Sequence, residues 1–192
     1  ILASQSGSRK AMLEAAGIAF EAIPARIDER ALESSLGSSG AAQVAQALAC
    51  EKALTVSRER RERLVLGSDS LVEVDGRRFD KPASRAEAAE HLLFFSGRTM
   101  RLHSAAALAE DGEIVWSDDA VASLHLIELS DEFIETYLDA EWPAVAACVG
   151  VFRIEARGVR LFERIDGDYF TILGMPLLKV LSALRERGRI AG

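Results

Sequence analysis

A carboxylate occupies a position where a strand ordinarily carries apolar side chains. In Leu64 to Pro82, LVLGSDSLVEVDGRRFDKP, the run Leu64-Val65-Leu66 leads through Gly67-Ser68-Asp69-Ser70 into Leu71-Val72-Glu73-Val74 and ends on the hairpin signal Asp75-Gly76. Burying an ionised group is costly unless a cation or hydrogen-bond donors compensate it. Asp69 therefore calls for a metal, a lysine or strand-end amides; the plain alternative is a strand whose Asp69 faces water at its end. Beyond the hairpin come Lys81 and Pro82. If the hairpin folds back, Lys81 returns to Asp69, and a carboxylate beside an ammonium can hold a phosphate and its metal.

Other charges stand at element ends. Ile1-Leu2-Ala3 reads as a short buried strand, Ser4-Gln5-Ser6-Gly7-Ser8 as a turn, and Arg9 to Ala16 as a helix stopped by Gly17. Strand, serine-glycine turn and helix can cradle a phosphate, because free amides at a helix start attract anions and Arg9 adds donors. The turn is not a G-x-x-x-x-G-K-[ST] loop, and serines also cap helices for structural reasons alone. Asp28 and Glu29 form an acidic pair in an expected loop, where a solvated turn is the plain account. Ala41 to Arg61 reads as a helix with Val44, Leu48, Lys52 and Val56 on one stripe. Lys52 is the odd member, and either snorkels to the rim or aims its ammonium into a polar pocket.

Other chemistries are excluded on motif grounds. A dehalogenase-type phosphatase needs a second aspartate two positions after its nucleophile, and Leu71 stands there. No G-x-S-x-G elbow is present. His91, His103 and His125 fall in one helix and two strands without H-x-H or H-E-x-x-H spacing, and read as structural. Cys50 and Cys148 make neither a disulfide framework nor a zinc site, which fits a reducing cytoplasm. The 30 acidic residues against 23 basic give a net charge of −7, which argues against a duplex-binding surface but leaves room for a small basic pocket. No apolar run approaches the ~18 residues of a membrane span, and no leader precedes Ile1. The opening on a core strand points to native residues upstream.

The remaining pattern describes an α/β domain in one piece over 1–192, whose long antiparallel strands would supply part of a curved sheet. Phe20 to Ile23 reads as a strand and Ser34 to Gly40 as a flexible loop. A capping box at Ser84 opens a helix through Phe95, and Arg98 to Leu108 and Glu113 to Leu129 are strands joined at Asp111-Gly112. Ser130 caps a helix through Ala140, Val159 to Ile165 is a strand, and Leu173 to Arg187 reads as one apolar-faced helix.

Taken together, the motifs resemble the Maf-like nucleoside triphosphate pyrophosphatase family nearly end to end. LASQSGSRKAML is similar to its opening L-A-S-x-S-P-R-R-x-E-L-L, IDER to its D-E pair, EKA to its E/A-K-A helix, and GSDSLVEVDGRRFDKP to its strand-hairpin-K-P signature. FFSGRTMRLHSAAAL and LFERIDGDYFTILGMPL resemble the later S-G and G-D-Y…G-L-P-L regions. Gly7 and Ser8 depart from it, standing where the family has proline and its first arginine, so one phosphate contact is lost or replaced by a hydroxyl.

The resemblance implies a mixed, strongly curved sheet flanked by helices, two lobes with a nucleotide cleft between them as in inosine triphosphatases, a homodimer, and hydrolysis of a nucleoside triphosphate to the monophosphate and pyrophosphate. It implies Asp69 as the proton acceptor, Glu29 and Asp69 as holders of a divalent cation (Mg²⁺ or Mn²⁺), and Lys52 and Lys81 as neutralisers of phosphate charge. Ser4, Ser6, Ser8 and Arg9 would bind the triphosphate, and Ser70, Arg153 and Glu155 would line the base region. The segment Phe152-Arg153-Ile154-Glu155-Ala156 is nearer the F-K-S-E-G of the 7-methyl-GTP enzymes than the Y-G-I-Q-G of those preferring thymidine and uridine triphosphates. A carboxylate at Glu155 can accept from two guanine N–H groups, whereas an exposed strand-end charge is its plain alternative. Two other outcomes stay open at this point: a dTTP/UTP-preferring enzyme, and a nucleotide-sensing regulator of cell division that binds without turnover.

Overall fold

The computed structural model describes residues 1–191. Its helices are α1 (Gly7–Ala15), α2 (Glu29–Ser35), α3 (Ala41–Glu59), α4 (Arg85–Phe95), α5 (Asp131–Glu141), α6 (Tyr169–Ile172) and α7 (Leu177–Glu186). The strands β1 (Val65–Val74), β2 (Arg77–Phe79), β3 (Thr99–Glu110), β4 (Glu113–Leu126) and β5 (Phe162–Asp166) are ordered β2-β1-β3-β4-β5. β1 with β2 and β4 with β5 pair antiparallel, while Leu2 makes single parallel bridges to Ala22 and Leu66. The fold is thus mixed α/β as expected, but both N-terminal segments read as strands shrink to bridges.

Two compact units divide the described chain: residues 1–70, 103–121 and 168–191, and residues 71–102 and 122–167. In the first, α1 and α7 lay Met12, Leu13, Leu177, Val180 and Leu184 onto Leu2, Leu66 and Leu108. Ala105, Ala106, Ala107 and Ala109 of β3 are fully buried, small side chains on a strand covered on both faces. In the second, α4 packs on α5, Phe79 meets Phe95 edge-on at 4.7 Å, and Arg85 of α4 bonds Glu135 and Asp139 of α5 at 2.7 and 2.6 Å. Among the described residues, no helix is long and apolar enough to cross a membrane.

Three local expectations change, and at Asp69 the buried reading holds over its alternative. Asp28 accepts from the Ala31 amide and caps α2, so Glu29 opens a helix rather than sitting in a loop, and Ser34 and Ser35 belong to that helix. The expected 173–187 helix starts late: a short α6 ends at Ile172, and Gly174, with φ +102°, and Pro176 hold off α7 until Leu177. The strand expected from Val159 begins instead at Phe162, after a 3-10 turn over Arg157–Leu161. The two apolar runs around Asp69 are one ten-residue strand, which places Asp69 mid-strand and 6% exposed rather than at a wet end.

Candidate functional site

The position of Lys52 follows from a glycine. A Cβ on Gly67 would stand 2.2 Å from the Ala49 carbonyl oxygen and 2.6 Å from the Ala53 amide nitrogen, so the α3 backbone lies directly on β1 there. Ala45, Ala49 and Ala53, all fully buried, keep that face of the helix small. Lys52 is thereby held over the strand, and its Nζ donates to Asp69 Oδ1 at 2.6 Å and lies 2.9 Å from Glu29 Oε1. The ammonium points into a polar pocket rather than snorkelling: Lys52 is 8% exposed. Glu29 remains half-exposed, and Asp69 Oδ2 takes no hydrogen bond from the described residues.

Arg9 enters the same unit from the first turn of α1, whose N-cap is Ser6. Its Nε donates to the Gly174 carbonyl at 2.9 Å, Nη1 to Ser4 Oγ at 3.3 Å and Nη2 to Ser70 Oγ at 3.1 Å. Burial pulls the guanidinium below its ordinary value, and the Asp69 and Glu29 charges pull it back. Three of its five N–H groups are taken, which leaves two for a ligand. Behind it, the Ser68 hydroxyl donates to the Ala105 carbonyl at 2.8 Å and lies 3.2 Å from that of Gly174, Ser70 Oγ stands 2.9 Å from both the Gly174 carbonyl and Ser104 Oγ, and Ser104 Oγ stands 2.8 Å from the Thr171 carbonyl. Ser4 and Ser70 therefore support Arg9. Ser8 is half-buried in the first turn, and its hydroxyl makes no hydrogen bond among the described residues.

Lys81, Arg153 and Glu155 belong to the second unit. Lys81 is exposed in the segment after β2, and Glu155 is exposed in a turn rather than at a strand end. The charges of Glu155, Arg153 and Lys81 all act on the half-buried Cys148 thiol, which burial raises most and Glu155 raises further. Arg153 donates from Nε and Nη2 to Glu141 Oε2 at 3.1 and 2.8 Å, and Glu141 is 4% exposed. Because Glu141 is buried and Arg153 is not, Arg153→Met should cost about 3 kcal/mol by stranding a buried carboxylate. Glu141→Gln keeps an acceptor and should cost about 1 kcal/mol; urea unfolding midpoints check the order.

Two contributors escaped the sequence reading. Glu141 stands on the buried stripe Ile134, Leu138, Glu141, the same odd-charge signal that marked Lys52. Gly174 supplies only a carbonyl, and its signal was the helix-breaking Gly-Met-Pro inside an apolar run. His91 packs edge-on to Phe79 at 5.1 Å and His125 bonds Thr99 and Asp166, and no group of three or more metal-ligating side chains forms among the described residues.

Fold and site define an α/β protein in which a buried strand aspartate, a lysine shared between two carboxylates and a serine-tethered arginine gather in one unit. The family model for Maf-like proteins matches residues 1–187. A nucleoside triphosphate pyrophosphatase of Nitrobacter hamburgensis is 49% identical over 191 residues, covering 100% of this chain and 95% of its own. A 7-methyl-GTP pyrophosphatase of Rhizobium meliloti is 48% identical, covering 99% and 96%, and a nucleoside triphosphate pyrophosphatase 1 of Jannaschia is 44% identical, covering 100% and 98%. The chain belongs to the Maf-like protein family.

Proposed function

We propose that this chain hydrolyses a nucleoside triphosphate between its α- and β-phosphates, releasing the monophosphate and pyrophosphate. The observation that carries the reading is Asp69 itself: buried mid-strand, bonded through one oxygen to Lys52, with the other oxygen unclaimed. A carboxylate so held can accept a proton from a water at its open oxygen. Arg9 has two N–H groups left for phosphate oxygens, and the Lys52 ammonium, held on Asp69 at 2.6 Å, would pair with a phosphate brought to that carboxylate. Lys81 would add a second ammonium, and Ser6 and Ser8 the start of α1. Stabilising the charge of departing pyrophosphate is most of the catalytic work, since pyrophosphate leaves readily once its oxygens are paired.

Mg²⁺ or Mn²⁺ suits the donor set. Asp69 and Glu29 offer hard carboxylate oxygens, and such ions commonly rest on one or two carboxylates with the substrate's phosphates filling the remaining positions. When bound, the ion would neutralise phosphate charge and orient the triphosphate. Asp69 and Glu29 would hold it.

For the base, Glu155 favours a purine of 7-methyl-GTP type over thymidine or uridine, by accepting from two N–H groups and complementing a cationic ring. Relatives carrying either name lie at similar identity. The work fits removal of modified or non-canonical nucleotides in the cytoplasm by a homodimer, whose mass sedimentation velocity reads. Pyrophosphate release from a panel of 7-methyl-GTP, GTP, dTTP and UTP with Mg²⁺ or Mn²⁺ tests the whole reading. Turnover with the highest kcat/KM on 7-methyl-GTP supports it; tight binding without turnover on every member would replace it with a sensor.

Arg9→Lys is the sharper local test. One lysine nitrogen cannot reach Gly174, Ser4, Ser70 and a phosphate together, so KM should rise roughly tenfold with a smaller change in kcat. Steady-state kinetics on the preferred triphosphate measures both.

A further inference from the structure

Lys52 occupies the charge position that a cation would need. Its Nζ lies 2.6 Å from Asp69 and 2.9 Å from Glu29, the two carboxylates assigned above to the divalent ion. Among the described residues no third metal-ligating side chain joins them. With one ammonium shared between two carboxylates, the trio keeps a single net negative charge, and two protein oxygens are few for an ion that takes about six. Lys52 has no easy retreat, because its helix rests backbone-on-strand at Gly67 and the side chain is nearly buried. Releasing both carboxylates requires another anion for Lys52 to bond, and a triphosphate is such an anion.

We infer that Lys52, seated on Asp69 and Glu29, keeps free divalent cation out of the nucleotide-free protein, so that the ion enters as its triphosphate complex. The inference rests on the reading that Asp69 and Glu29 hold the ion. It gives Lys52 a task besides neutralising phosphate: the triphosphate displaces it from the carboxylates and so opens the cation's place.

Titrating Mn²⁺ into nucleotide-free protein and counting free Mn²⁺ by electron paramagnetic resonance tests this. Lys52→Met should bind Mn²⁺ roughly tenfold or more tightly than wild type, since ligand charge sets such affinities, and Asp69→Asn in the same chain should abolish the gain. Lys52→Arg, which keeps a cation in place, should stay as weak as wild type. If Lys52→Met fails to fold, Lys52→Gln, whose amide still donates to Asp69, should show the same tightening. Wild type binding Mn²⁺ as tightly as these variants, or a gain that survives Asp69→Asn, overturns the inference. Hydrolysis by wild type in EDTA separates the two levels: turnover lost in EDTA upholds the metal reading whatever Lys52 does, and turnover that persists removes that reading and this inference together.

Discussion

Asp69→Asn is expected to lower kcat by roughly 10²–10⁴-fold, the range for loss of a general base, with the fold intact. Asparagine has the same shape, and its amide oxygen can still accept from Lys52 at the place where Oδ1 now does, 2.6 Å from Nζ. It cannot take a proton from water. Lys52 also keeps Glu29 at 2.9 Å, so its ammonium is not left without a carboxylate. The expected signature is therefore a collapse of kcat beside a thermal midpoint within a few degrees of wild type, read by pyrophosphate release and by differential scanning fluorimetry. Wild-type kcat in this variant would remove Asp69 from the chemistry.

Gly67→Ala should cost about 3 kcal/mol, at the upper end for overpacking, and take activity with it. The neighbours of the added carbon, at 2.2 and 2.6 Å, are backbone atoms of α3, which cannot rotate aside like a side chain. The helix must lift or slide, and Val44, Leu48 and Val56 on its buried face lift with it. So does Lys52, whose hold on Asp69 depends on that contact. Urea unfolding gives the loss of stability, and kcat measured at a temperature where the variant is folded gives the loss of the Lys52–Asp69 pair. A variant as stable as wild type would mean that the helix lies farther from the strand.

These two residues mark how far the sequence could be read. Asp69 and Lys52 were legible because each is a charge inside an apolar pattern, and burial of a charge demands a partner. Glu29 was legible as a carboxylate but not as a helix residue, since Asp-Glu reads equally as a solvated turn until the Asp28 cap is seen. Gly67 gave no comparable sign, and the Gly-Met-Pro at Gly174 marked a helix stop but not a contact. What they contribute is a missing side chain and a carbonyl, and both depend on which segment packs against them, a tertiary fact without local pattern. The apolar spacing of 177–187 extends back to Leu173, so the periodic signal outweighed Gly174 and Pro176, which delay the helix to Leu177. Glu141 carried the same mark as Lys52, a charge on a buried stripe, with its arginine partner 12 residues further along the chain.

The central claim is that a water deprotonated at Asp69 attacks the α-phosphorus while pyrophosphate departs. A single turnover with excess protein in ¹⁸O-labelled water, followed by mass spectrometry of both products, tests it most directly. The account predicts one ¹⁸O in the nucleoside monophosphate and none in the pyrophosphate; label in the pyrophosphate, or release of orthophosphate and a nucleoside diphosphate, would contradict it.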